Sequence, residues 1–378
     1  MDMINIGYSG ASTAQVELNV TAQNTANAMT TGYTRQVAEI STIGASGGSP
    51  NSAGNGVQVD SIRRVSNQYQ VNQVWYAASD YGYYSTQQGY LSQLEAVLSD
   101  DNSSLSGGFD NFFAALNEAT TSPDDSALRE QVISEAGALS LRIDNTLDYI
   151  DSQSTEIISQ QQAMVSQINT LTSGIASYNQ QIAQAEANGD NASALYDARD
   201  QMVEELSGMM DVQVNIDDQG NYNVTLKNGQ PLVSGQQSST IALETNADGP
   251  LTVNPNITAD ELAFSSSPDE SGNSDNLQAL INISTEPLEI ANLGSVTVGQ
   301  ACSSIISNIG IYSQQNQTEV DAASNVYSAA QNQQSSVSGV SMDEEAVNLI
   351  TYQQIYEANL KVISAGAEIF DSVLEMCS

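Results

Sequence analysis

One pair of carboxylates has a spacing that chemistry could use. Asp197 and Asp200 lie three residues apart in a predicted helix, which places both side chains on one face. Such a pair could act as the acid and base of a hydrolase, but this role needs a cleft and further catalytic groups. The sequence contains no histidine, which excludes histidine triads and histidine bases. We therefore interpret the pair as part of a solvated helix face.

The sequence gives little support for metal binding or for thiol chemistry. Residues 215–220 loosely imitate a calcium-binding loop, but Leu226 stands where such a loop supplies its bidentate glutamate. Cys302 and Cys377 are far apart in sequence, and neither belongs to a CxxC motif, so a disulfide framework is excluded. We predict that the protein is not an enzyme, with no catalytic residue, no metal site and no cofactor.

The charge balance excludes two classes of partner. The 378 residues include 45 acidic and 8 basic side chains, giving a formal charge of -37. Nucleic acids and anionic membrane surfaces both need basic patches, so neither is an expected partner. The N-terminus has no basic region and no apolar run of signal-peptide length, and no stretch is apolar enough to span a membrane. We expect a protein that stays in the cytoplasm or leaves it without a cleaved signal.

Both ends of the chain are predicted to form long amphipathic helices. Ser341 and Glu344 form a capping box, and no proline interrupts residues 341–378. Apolar residues recur there in steps of three and four: Met342, Ala346, Leu349, Tyr352, Tyr356, Leu360, Ile363, Ala367, Phe370 and Leu374. A matching stripe of small and apolar residues opens the chain: Ile4, Gly7, Ala11, Ala14, Leu18 and Ala22. The pattern fits a coiled coil of the two ends, and equally two independent helices that each cover their own core.

Between the ends, the pattern is helical except for one segment. A helix is predicted over residues 66–98, with Tyr69, Tyr76, Tyr83 and Tyr90 spaced by seven as a packed seam rather than a stacking platform. Further helices follow to about residue 210, and a β-hairpin is predicted around residues 212–226, with further strands at residues 232–233 and 241–243. The fold class is mainly α, with three domains. They are a terminal coiled coil (1–40 plus 331–378), a helical-bundle middle domain (41–210 plus 274–330) and a small inserted β domain (211–273).

Residues near both ends resemble a known family. Residues 18–36, above all Gly32-Tyr33-Thr34-Arg35-Gln36, are similar to the N-terminal motif of bacterial flagellar rod, hook and hook-associated proteins. Residues 338–345 and 352–359 resemble, more specifically, the hook-proximal hook-associated proteins of the hook–filament junction. Thr25 and Thr31 depart from the usual motif, and residues 264–274 are much shorter than in larger members.

The resemblance and the two stripes together give the predicted subunit-packing residues. They are Ile4, Ala11, Leu18, Gly32, Tyr33, Arg35, Leu349, Tyr352, Tyr356, Asn359, Leu360, Ile363, Phe370 and Leu374.

The resemblance also implies a function and a location. It implies a structural adaptor that joins hook to filament and polymerises with itself in a ring or short helical layer. The hook protein would lie on one side, and the second junction protein and the filament on the other. Export would use the flagellar type III pathway with a chaperone, placing the protein outside the cell. The alternatives are a secreted coiled-coil adhesin or type III translocator, or another hook or rod subunit.

Overall fold

The computed structural model describes residues 2–44, 54–99, 104–242, 274–290 and 293–377. Helices dominate these ranges: α1 (Asp2–Asn27), α2 (Gln68–Leu98), α3 (Leu105–Ala119), α4 (Ser126–Asn188), α5 (Ser193–Met209), α6 (Asp275–Asn282), α7 (Val298–Ser338) and α8 (Met342–Cys377). The predicted mainly α class is confirmed.

The strands form three small antiparallel sheets in the described residues. β1 (Gln36–Thr42) pairs with β2 (Val57–Arg64), with an irregularity at Glu39 and Ile40. β3 (Val212–Ile216), β4 (Tyr222–Leu226), β5 (Pro231–Ser234) and β6 (Gln237–Ser238) form a four-stranded sheet in sequence order. β7 (Leu288–Ile290) pairs with β8 (Gly294–Val296). Gly220 and Gly229 have positive φ angles of 79° and 86° in the turns that flank β4, where a side chain would be strained.

The chain divides into two compact units. The first comprises the described residues of Met1–Tyr83, Ser166–Ile241 and Ala323–Ser378, and therefore contains both chain ends and the four-stranded sheet. The second comprises those of Tyr84–Val165 and Ala242–Ala322. The three-domain division remains a prediction.

The core of the second unit lies between three helices. Ala115, Leu116 and Ala119 of α3 pack with Val132 of α4 and with the buried apolar residues of α6. Ser104 caps α3, because its Oγ accepts a hydrogen bond from the backbone N–H of Gly107. The short amphipathic helices α3 and α6 thus each bury one face in this core.

The core of the first unit is built on α2, α4, α5 and the four-stranded sheet. Val74 and Trp75 of α2 are buried, and the Trp75 ring meets the buried Tyr222 ring edge-on, with centroids 5.7 Å apart. Alternate residues of the sheet, including Val224, point into this core. Asn179 of α4 fastens the sheet, because its Nδ2 donates to Tyr222 O at 3.0 Å and its Oδ1 accepts from Tyr222 N at 3.1 Å.

The sequence pattern located most elements and missed several. The structure confirms the terminal helices, α2, α5 and the β3–β4 hairpin. It adds α3, for which the sequence predicts no element, and it places the β7–β8 pair within residues 274–330, where the sequence predicts helix. It also extends α7 through the Gln- and Ser-rich residues 331–338. The predicted strand at Ile241 is wrong, and Leu243 lies outside the described residues.

The tyrosine row of α2 is exposed rather than packed within this chain. Tyr69, Tyr76 and Tyr83 are 69%, 55% and 64% exposed. The prediction of a packed seam is therefore wrong for these three residues.

Candidate subunit interface

The two ends of the chain pack against each other as antiparallel helices. Small residues permit this approach: a Cβ atom placed on Gly7 would lie 2.9 Å from Cγ1 of Ile363 and 3.2 Å from the backbone oxygen of Asn359. Farther along, a Cβ atom on Gly366 would lie 2.8 Å from Cγ1 of Ile4. One on Gly10 would overlap the Asn359 side chain. The α1–α8 contact is therefore as close as glycine allows.

The β1–β2 hairpin packs beside α1 in the same unit. Ser9 Oγ of α1 accepts a hydrogen bond from Val57 N at 3.2 Å and donates to Ile6 O at 2.8 Å. Gly56, with a φ angle of 104°, lies so close to Ser9 that a side chain there would collide with it. Ala11 and Ala14 are buried, which is consistent with neighbours on more than one side of α1.

A buried asparagine joins α1 to β1 and α8. Asn24 is 2% exposed, and its Nδ2 donates to Gln36 O at 2.9 Å and to Glu345 Oε1 at 3.1 Å. Its Oδ1 accepts from Gln36 N and from the Tyr33 hydroxyl, both at 2.9 Å. Because the amide uses both its donors and its acceptor, it fixes how the chain leaves α1.

The segment after α1 is anchored at several points. Arg35 N donates to Ser338 O at 2.8 Å, and the Arg35 guanidinium lies 3.5 Å from the exposed carboxylate of Glu344. Burial, together with the nearby Asp197 and Glu345 carboxylates, raises the pKa of Tyr33 to about 12. Tyr33 therefore stays a neutral hydrogen-bond donor throughout the physiological range.

The carboxylate pair Asp197 and Asp200 has a structural partner. Asp197 is only 9% exposed; it accepts from Thr34 N at 3.0 Å and lies 3.2 Å from Arg64 Nη1. Asp200 lies 2.6 Å from the same Arg64 nitrogen and accepts from the Tyr222 hydroxyl at 2.7 Å. The expectation of a solvated face is wrong, because the pair binds Arg64, a half-buried arginine of β2. Burial raises the pKa of Asp197, and the bonds to Thr34 and Arg64 partly offset the rise.

Other residues singled out in the sequence have local roles. The Asp217 carboxylate accepts from Gln219 N and Asn221 N, both at 2.9 Å, so it closes the β3–β4 turn. Hydrogen bonds from the Asn221 side chain hold the pKa of Asp217 below its usual value. Burial raises the pKa of the half-buried Cys302 thiol. In the described ranges, no three Asp, Glu, Cys or His side chains are grouped as metal ligands would be.

The predicted packing residues of α8 divide into those that contact α1 and those that are exposed. Ile363 and Asn359 face α1, and Tyr352 lies near Glu17 of α1. Leu360 is 42% exposed and Phe370 is 49% exposed, and Leu349 and Leu374 are exposed to a similar extent. At 3.6 residues per turn, Leu349 and Leu360 point roughly 60–90° around the helix from the α1-facing side. Phe370 and Leu374 point closer to the direction of Ile363, but they lie beyond Gly366, the residue that contacts Ile4 of α1. These four exposed apolar residues, Leu349, Leu360, Phe370 and Leu374, are called the outer stripe below.

The remaining predicted residues lie along α1 and in the segment after it. Ile4, Ala11 and Leu18 are on α1; Ala11 is buried, and the other two are half-buried. Gly32 has a φ angle of 77°. A Cβ atom placed on Gly32 would lie 3.3 Å from Oε1 of Gln201. Tyr356 is half-buried on α8. Sequence reasoning missed Asn24 and Glu345, whose polar side chains do not stand out in an apolar pattern.

A cleft of about 1300 Å³ opens in the first unit beside the segment after α1. Residues 28–35 and 334–341 line it together with parts of α2 and α5. Glu204 on its wall accepts from the Tyr327 hydroxyl at 2.6 Å and from Gln331 Nε2 at 3.2 Å. Across the described ranges, no helix combines the length and the apolar character that crossing a membrane requires.

These features define a class of protein. Paired terminal helices that leave an apolar outer stripe uncovered are typical of structural subunits, which complete their packing by assembly. The family model of the flagellar hook-associated protein FlgK helical domain matches residues 91–301, more than half of the chain. The model of the flagellar basal body rod FlgEFG protein C-terminal region matches residues 331–376. The chain belongs to the flagellar hook-associated protein FlgK family, which confirms the resemblance in the sequence.

Individual relatives agree with this assignment. The chain is 33% identical over 242 residues to flagellar hook-associated protein 1 of Salmonella typhimurium and 31% identical over 250 residues to that of Bacillus subtilis. The alignments cover 64% and 63% of this chain but 44% and 48% of the relatives, so the chain matches less than half of their length. The structure of the flagellar hook junction protein FlgK from Burkholderia pseudomallei is 31% identical, with a TM-score of 0.42 over 45% of this chain and 30% of that chain.

Proposed function

We propose that the chain is a structural adaptor subunit of the bacterial flagellum, which joins hook to filament and polymerises through its paired terminal helices. The outer stripe of α8 is the observation that carries this proposal. Its four side chains are large, apolar and exposed on a helix whose neighbouring face already contacts α1. Burying each against a neighbouring subunit would contribute about 1.5–3 kcal/mol.

The predicted packing residues divide into two roles under this proposal. Ile4, Ala11 and Ile363 set the distance between α1 and α8 and so shape the surface that a neighbour meets. The outer stripe makes the contact itself. The three-domain division is proposed on the same basis, with residues 1–40 and 331–378 as the part that builds the tube of the assembly.

The partners and the route of export belong to the proposal as well. Copies of this chain would form a ring or a short helical layer between the hook protein and the second junction protein, which is followed by the filament. An export chaperone and the flagellar type III pathway would deliver the chain outside the cell. The charge of -37 supports a partner set without nucleic acid and without an anionic membrane. The proposed role is structural and not enzymatic.

Two alternatives from the sequence are less well supported. A secreted adhesin or type III translocator would account for helical ends but not for the match of residues 91–301 to the FlgK helical domain. Another hook or rod subunit would account for the match of residues 331–376 to the rod-protein C-terminal region, but again not for the larger match.

Substitutions in the outer stripe test the proposal. Leu360→Asp and Phe370→Asp should leave the isolated chain as helical and as stable as the natural chain, because both residues are exposed in it. A subunit contact would have to desolvate the new carboxylate, so both variants should be missing from purified hook–filament structures. Glu357→Asp, at an exposed position of the same helix, is the matched control and should be incorporated normally. Normal incorporation of both stripe variants would refute the proposal.

A further inference from the structure

An asparagine followed directly by a glycine occurs three times in this chain. The pairs are Asn55-Gly56, Asn188-Gly189 and Asn228-Gly229. The three glycines have positive φ angles of 104°, 77° and 86°. An asparagine in this dipeptide can lose ammonia without an enzyme, because glycine has no side chain to hinder attack by its backbone nitrogen on the asparagine amide.

The reaction depends on the backbone N–H of the glycine. The nitrogen gives its proton to a base in the solvent and forms a bond to Cγ of the asparagine. The bond from Cγ to the side-chain nitrogen breaks, and that nitrogen takes a proton from water and leaves as ammonia. Water then opens the resulting succinimide ring at either carbonyl, which gives aspartate or isoaspartate. A glycine N–H that donates a hydrogen bond must first lose it, so such a bond slows the reaction.

Two of the three glycines have their N–H in a turn hydrogen bond. Gly189 N donates to Glu186 O at 3.1 Å at the end of α4, and Gly229 N donates to Leu226 O at 2.8 Å after β4. The asparagine before Gly229 is held as well, because its Oδ1 accepts from Gln230 N at 3.0 Å. Both sites are therefore protected by the folded structure.

The remaining glycine, Gly56, is bonded through its carbonyl group instead. Its oxygen accepts from Ile43 N at 2.9 Å, and Asn55 N donates to Ile43 O at 3.0 Å. The Gly56 N–H makes no hydrogen bond within the described residues. Asn55 and Gly56 are both partly exposed, so water and base can reach them.

We propose that Asn55 is a deamidation site, and that it reacts before the other two asparagines in the folded chain. The reaction would alter a contact of α1, because Gly56 lies against Ser9 and Val57 N donates to Ser9 Oγ at 3.2 Å. In isoaspartate the main chain runs through Cβ, which adds one carbon to the backbone just before this contact. The product should therefore loosen the attachment of the β1–β2 hairpin to α1.

Incubation of the purified full-length chain at mildly alkaline pH tests the proposal. Samples are digested, and mass spectrometry with chromatographic separation measures the aspartate and isoaspartate products at each site. We expect Asn55 to react about threefold to tenfold faster than Asn188 and Asn228, the factor that one hydrogen bond supplies. No product at Asn55, or a rate there no faster than at Asn188 or Asn228, would overturn the proposal.

The same incubation in urea, at a concentration that unfolds the chain, is the control. The turn hydrogen bonds are then absent, so the three Asn-Gly pairs should react at similar rates. If Asn55 kept the same advantage in urea, its flanking sequence rather than the fold would set the order, and the structural argument would fail.

The expected effect on α1 has its own measurement. Backbone hydrogen exchange near Ser9 and Val57 should speed up when the natural chain is incubated, because the altered backbone loosens the contact. Asn55→Gln does not readily form the five-membered ring, so its exchange should be the same before and after incubation. Comparing each protein with its own fresh sample removes any direct effect of the substitution. Equal changes in the two proteins would contradict the assignment to Asn55.

Discussion

The close contact at Gly7 in the α1–α8 pair predicts how one added methyl group should change stability. Gly7→Ala places a Cβ atom 2.9 Å from Cγ1 of Ile363 and 3.2–3.3 Å from backbone atoms of α8. Overpacking of this kind costs about 1–3 kcal/mol. Replacing glycine by alanine inside a helix contributes about 0.8–1.0 kcal/mol in the other direction. The net effect should be a loss of between about 0 and 2 kcal/mol.

A second glycine, in a helix but without close neighbours, serves as a control that separates the cost of overpacking from the gain in helix propensity. Gly89 lies inside α2, and a Cβ atom placed there meets nothing within 4 Å. Gly89→Ala should therefore show the propensity gain alone. The two variants should differ by about 1–3 kcal/mol, with Gly7→Ala the less stable.

Hydrogen exchange of backbone amides is the suitable measurement, because it reports local opening free energies along α1 and α8. Gly7→Ala should speed exchange near Ile363, and the double variant with Ile363→Ala should recover part of the difference by removing the closest atom. The reasoning would be refuted if Gly7→Ala protected α8 as much as Gly89→Ala protects α2.

Three further predictions concern the buried polar contacts. Asn24→Ala should lower the free energy of unfolding by about 2–3 kcal/mol, measured with urea, because it leaves buried partners unsatisfied; an unchanged midpoint would contradict this. Arg64→Met should cost about 3 kcal/mol or more, because it leaves the buried Asp197 and the half-buried Asp200 without their cation, whereas Arg63→Met, which removes an exposed pair, should cost about 1 kcal/mol or less. Burial raises the pKa of Tyr33 and Tyr196 to about 12, so both stay neutral in the folded chain while they ionise in the unfolded one. Stability should be retained below about pH 10 and lost as the pH rises towards 12, which an alkaline titration followed by circular dichroism would check.

The sequence predicted the elements that follow a strict period. The β3–β4 hairpin could be predicted because a single turn interrupts its alternating apolar residues. Helix α8 could be predicted because it has a capping box and contains no proline. Helix α3 was missed because its first turn contains Gly107 and Gly108, whose low helix propensity is overridden by packing against α4 and α6.

The candidate interface could be predicted only in part. The periodic spacing of apolar residues predicted a broad apolar stripe on α8, but it does not indicate which neighbouring element covers each edge of that stripe. Ile363 contacts α1, whereas Leu360 faces solvent in the isolated chain. The Asp197 and Asp200 pair was misread because its partner, Arg64, is distant in sequence and is brought to it by folding. Polar contacts of this kind leave no periodic signal.

We propose that the paired terminal helices build the junction through the outer stripe of α8. The most direct measurement is a density map of the intact hook–filament junction, at a resolution that places side chains. The account predicts copies of this chain in a layer between hook and filament, with Leu360 and Phe370 buried against an adjacent subunit. A map in which the chain is present but both side chains face solvent, or in which the chain is absent from the junction, would contradict it.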